Sequence, residues 1–68
     1  MYCAIIDEYR GATYTFGSYN FRWCFKTSVS FAKDALRKHP DLYVITIHLG
    51  IYDIDVYRGY YDVWRFES

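Results

Sequence analysis

Two hydrophobic periods share this chain. From Ser28 to Lys38 the apolar residues Val29, Ala32, Ala35 and Leu36 recur at spacings of three and four, the single stripe of an amphipathic helix. Thr27 stands just ahead of it, where a hydroxyl can accept from a first-turn N–H, so the spacing predicts an N-cap there. Ser30 occupies the position where a capping box would carry an acid. Lys33, Asp34, Arg37 and Lys38 lie mostly off the stripe, with Asp34 one turn ahead of Lys38. Arg37 and Lys38 suit the negative end of the helix dipole, and Pro40 disfavours helical geometry at His39. So short a helix is marginal alone in water, and its stripe has to be buried against a sheet.

Elsewhere the period is two. Residues 2–9 alternate Tyr2, Ala4 and Ile6 with Cys3, Ile5 and Tyr9, and Arg10-Gly11 reads as a tight turn into Ala12–Phe16. Gly17-Ser18 gives a second turn signal. In Tyr19–Lys26, four rings (Tyr19, Phe21, Trp23 and Phe25) alternate with Asn20, Arg22, Cys24 and Lys26, which predicts a strand with an aromatic core face. After the helix, Leu42–His48 is β-branched and apolar on both faces, the pattern of a central strand. Leu49-Gly50 and Arg58-Gly59 then mark turns around Ile51–Tyr57 and Tyr60–Phe66. The expected architecture is α+β: a single short α-helix packed on an antiparallel β-sheet of hairpins, in one domain over 1–68.

One six-residue pattern occurs twice. Ile6-Asp7-Glu8-Tyr9-Arg10-Gly11 returns as Ile54-Asp55-Val56-Tyr57-Arg58-Gly59. The flanks differ too much for a duplication, so the bland explanation is one hairpin solution reached twice. The functional one is that both turns set a Tyr-Arg pair at one edge of the sheet, and both residue types are enriched in binding hot spots.

Composition changes the picture at one point. A chain of 68 residues carries nine Tyr, five Phe and two Trp, 24% of its length. A small domain buries a low fraction of its surface, and large rings compensate by covering much area per residue. Sixteen rings still exceed the interior available, so several are expected at the surface. Eight Lys and Arg balance eight Asp and Glu, which removes the general electrostatic case for nucleic-acid binding and for a uniformly acidic mimic alike. No apolar run is long enough to span a bilayer, and the first residues have no basic segment ahead of Asp7, so the expected location is the cytoplasm.

The candidate chemistry is sparse. Cys3 and Cys24 are too few for a disulfide scaffold and read as two reduced, buried small hydrophobes. His39 and His48 fall at opposite ends of the predicted central strand, so they cannot share a nucleophile-and-base site. The spacing of Cys3, Cys24, His39 and His48 fits no zinc pattern. Asp53 and Asp55 share one strand face, but general acid–base work would need a cleft to perturb one of them. The four glycines sit singly, without a phosphate-cradling loop. The expectation is therefore no catalysis, no metal and no cofactor.

Nucleic acid fares only slightly better. Asn20, Arg22 and Lys26 with exposed rings could serve a single strand, but Asp53, Asp55 and Asp62 would repel phosphates nearby. The surface left over runs from Gly50 to Arg65, where tyrosines and Trp64 stand among aspartates and arginines, with no lysine. Such a mixture suits protein binding, and Asp53, Asp55, Tyr57, Arg58, Tyr60 and Tyr61 are the expected contacts, the rings as anchors and the charges as orienters. An exposed edge strand could also pair with a partner strand or a second copy. In size and layout the whole chain resembles small proteins encoded by bacteriophages and other mobile elements, including some anti-CRISPR proteins. That resemblance implies a non-catalytic inhibitor or adaptor of a bacterial host or defence complex. Nucleic acid and membrane are disfavoured as partners, and the alternatives are a single-stranded nucleic-acid-binding domain or a structural homodimer.

Overall fold

One helix lies across a five-stranded antiparallel sheet in the computed structural model, which describes residues 1–9 and 11–65, with the backbone alone at Glu8. The elements are β1 (Tyr2–Tyr9), β2 (Ala12–Ser18), α1 (Phe21–Lys38), β3 (Ile45–Leu49), β4 (Tyr52–Tyr57) and β5 (Tyr60–Arg65). Their order in the sheet is β2-β1-β3-β4-β5, so β1 and β3 meet at the centre while β2 and β5 form the edges. The α+β class expected from the pattern is the class observed. The proposed Arg10-Gly11 turn and the Phe66 end of the last strand lie partly outside the described residues.

The segment Tyr19–Lys26 is not a strand. Its residues from Phe21 onward form the first half of α1, and the helix caps at Asn20, whose side-chain carbonyl accepts from the Trp23 N–H at 3.1 Å. Thr27 lies in the helix interior, and Gly17 and Ser18 belong to β2 rather than to a turn. Two periods compete here. The rings alternate, but Phe21, Cys24, Phe25, Ser28, Val29, Ala32, Ala35 and Leu36 also continue one helical stripe without a break. The longer pattern wins because it lets one element of 18 residues, about 27 Å long, cover the sheet. Among the described residues Ser28 is the one buried polar side chain, and its hydroxyl donates to the Cys24 carbonyl at 2.7 Å.

Alternation then sorts each strand between two faces. Ala4, Ile6, Ile47, Leu49, Ile54 and Val56 are wholly buried beneath α1, together with Leu36 and Ala32 from the helix. The central strand is shorter than expected and apolar on one face only, since Thr46 and His48 point away from the core. Between Ile6 and Tyr9, β1 uses one more residue than β2 does between Tyr14 and Ala12. This bulge reverses the alternation. Tyr9 thereby turns toward the helix and meets Phe31 edge-on at 5.8 Å. Phe31 also packs on Tyr14 and Phe16, so the helix seals the β2 side with rings. Both cysteines are free thiols, but Cys3 is exposed on the outer face while Cys24 is buried, which corrects the expectation that both are core residues.

Candidate functional site

Among the described residues, no element covers the face of the sheet away from α1. Registers Ile5↔His48↔Asp53↔Trp64 and Thr46↔Asp55↔Asp62 set these side chains in two rows across it. The Asp55 carboxylate accepts from the Thr46 hydroxyl at 2.9 Å and from the Trp64 indole N–H at 3.0 Å. His48 Nδ1 lies 2.7 Å from the Asp53 carboxylate, and its Nε2 lies 3.5 Å from Asp7. At the β4–β5 turn, Tyr57 and Tyr60 stack with ring centroids 4.8 Å apart and planes 13° from parallel. Tyr43 meets Tyr57 edge-on at 6.1 Å. Partial burial, followed by the negative charge of Asp55, holds the Tyr57 phenol above its ordinary value.

The face thus combines four aspartates (Asp7, Asp53, Asp55 and Asp62) with Trp64, Tyr57 and Tyr60, and carries no Lys or Arg among the described residues. The opposite layer has the complementary sign. Arg22, Lys26, Lys33, Arg37 and Lys38 all lie on α1, against the single acid Asp34. Asp34 pairs with both Arg37 and Lys38, and its hydrogen bond from Lys38 comes first among the interactions holding its carboxyl below the ordinary range. The formal neutrality of the chain conceals a separation of charge across the thickness of the sheet.

The residues singled out in the sequence are divided by this arrangement. Asp53, Asp55, Tyr57 and Tyr60 come together on the open face. Tyr61 does not, because its register with Val56 places it on the helix side, where Phe25 meets it edge-on at 5.6 Å. Arg58 does not either. Its guanidinium turns back to the helix end and donates to the carbonyls of Leu36 at 3.1 Å and His39 at 2.9 Å. Arg58 therefore acts as a C-terminal clamp on α1, donating to the Leu36 carbonyl in the last turn and joining the Leu42 N–H on the carbonyl of the C-cap His39. Asn20, Arg22 and Lys26 lie at the helix, not on a strand face. His48 and Asp7 are additions that the sequence left out. Their signal was parity, since each is one residue from a buried isoleucine: His48 follows Ile47 and Asp7 follows Ile6.

The two histidines are separated as expected, His39 at the helix C-cap and His48 on the open face. No group of three or more metal-capable side chains occurs among the described residues. The carboxylates of Asp53 and Asp55 are engaged by His48, Thr46 and Trp64 on the open face, and neither lines the cavities of about 620 and 310 Å³ that α1 forms with β5 and the β4–β5 turn. No helix among the described residues is long and apolar enough to cross a membrane. Comparisons with protein-family models, with curated proteins and with solved structures each find no match.

Proposed function

We propose that this chain is a non-catalytic protein-binding module that seats its open sheet face on a cationic surface of a bacterial protein complex, and so inhibits or adapts it inside the host cell. The observation that carries this reading is the concentration of Asp7, Asp53, Asp55 and Asp62 around Trp64, Tyr57 and Tyr60, on a face without Lys or Arg among the described residues. Rings supply contact area at low entropic cost, and a single-sign charge pattern steers encounter and fixes orientation. The hydrogen bonds from Thr46 and Trp64 hold the Asp55 carboxylate in place before any partner arrives, which lowers the ordering cost of binding. The small single-helix layout, with its resemblance to phage-encoded inhibitors of the anti-CRISPR type, points to a bacterial partner of that kind.

The test is capture from bacterial lysate with three baits. Wild type and an Arg22→Glu/Lys26→Glu variant are expected to retain the same partner, whereas Asp53→Lys/Asp62→Lys loses it. Equal capture by all three baits would remove the open face from the reading.

A further inference from the structure

A second surface lies on the other side of the sheet. The helix packs over β1 to β4 and stops short of β5. The gap is bridged by side chains, with Phe25 edge-on to Tyr61 and the Lys33 ammonium 5.5 Å above the same ring. The result is a groove made of two adjoining cavities that share Ser30 and Lys33. Tyr61, Val63 and Arg65 alternate onto the helix side of β5, and Val63 keeps 45% of its surface exposed there.

The helix wall of this groove is cationic. Arg22, Lys26, Lys33 and Arg37 fall within about 60° of arc at roughly 100° per residue, so they form one row along α1. Lys26, Lys33 and Arg37 border the cavities directly, and Arg58 closes the far end. Among the described residues Asp34 is the one acid bordering the groove, and it is already paired with Arg37 and Lys38. Beside the row stand two rings that stack on no other ring among the described residues. Trp23 is 47% exposed on the next strip of the helix, and Tyr19 is 82% exposed just ahead of the cap. The first turn of α1 has no acidic residue, so its dipole adds to the positive field there.

We infer that this groove and its cationic row bind a single strand of nucleic acid. Lys and Arg side chains spaced along one ridge track a phosphate backbone, while flat rings with unused faces take unpaired bases in any sequence. The repulsion expected from Asp53, Asp55 and Asp62 is weakened at this site by distance, because the sheet places those carboxylates on its opposite face. An acidic peptide would use the charges but leave Trp23 and Tyr19 without a role, which is why the single strand is favoured.

Fluorescence anisotropy of a labelled thymidine oligonucleotide, titrated at several salt concentrations, tests this. With four phosphates contacted, the logarithm of the affinity falls against the logarithm of the salt concentration with a slope of about −3. Arg22→Glu/Lys26→Glu shortens that slope by about 1 to 2. Trp23→Ala weakens binding about tenfold and leaves the slope unchanged. Asp62→Lys, on the other face, preserves binding, and circular dichroism verifies that every variant is folded. Absence of binding at low salt, a matched duplex or polyglutamate bound as tightly as the single strand, or an unaffected Trp23→Ala variant would overturn the assignment. None of these results bears on partner capture through the open face, so the two readings fail separately.

Discussion

The two faces of the sheet are built from the same strands and do opposite things. On β3, Ile45, Ile47 and Leu49 face the helix and are buried, while Thr46 and His48 between them meet solvent and the aspartates of β4. The helix side gains its free energy from apolar area removed from water, and the open side holds its shape through hydrogen bonds and ring stacking at little cost in exposure. The lesson is a division of labour. Stability resides on one face, which leaves the composition of the other free to vary without loss of the core.

Substitutions at neighbouring positions break this comparison most directly. Ile47→Ala removes a wholly buried side chain, and urea denaturation is expected to show a loss of about 2 to 5 kcal/mol. Thr46→Ala, one residue away, deletes a hydrogen bond to Asp55 on the open face, and the same measurement should register about 1 kcal/mol. A loss at position 46 as large as that at 47 would mean that the open face is a second core.

The smaller tests use pH. The Tyr57 phenol sits above its ordinary value of 10.0, so the folded state favours the protonated form, and its contribution disappears as pH rises through the folded value. Tyr57→Phe should flatten the alkaline limb of the melting-temperature profile and leave neutral pH unchanged. Asp34 has the opposite sign. Its carboxyl is held below 3.8, so its contribution is present above that value and fades as pH falls through the folded one. Because the group is largely solvated, Asp34→Asn should give the smallest change of the set, visible as a slightly shallower acid limb.

The sequence made the fold class legible, and with it the helical stripe from Val29 to Leu36, the turn at Arg58-Gly59 and the central place of the strand before His48. The stretch Phe21–Lys26 misled because four rings at period two are a strong strand signal, and the helical continuation through Cys24 and Ser28 depends on residues that are small rather than plainly apolar. The candidate site was half legible. Asp53, Asp55, Tyr57 and Tyr60 share a face by alternation alone, but Tyr61 is their neighbour in sequence and therefore faces the other way. The repeated Ile-Asp-x-Tyr-Arg-Gly pattern shows the limit well. Ile6 and Ile54 are both buried, and Gly11 and Gly59 both take the positive φ their turns require, at 76° and 87°. Yet Tyr57 stacks on the open face while Tyr9 packs under the helix, because a single extra residue in β1 reverses the parity. No local pattern announces that bulge, since it is fixed by how β1 registers against β2.

The opposed charges of helix and sheet have a consequence for how the molecule behaves before it touches anything. Near pH 6.7, where its charges cancel in sum, it still has a large electric moment through the thickness of the sheet. Chromatographic media of either sign should retain it there, each gripping a different side. A charged macromolecule nearby would likewise rotate the chain into alignment, so that each encounter begins with the side of opposite sign turned toward it.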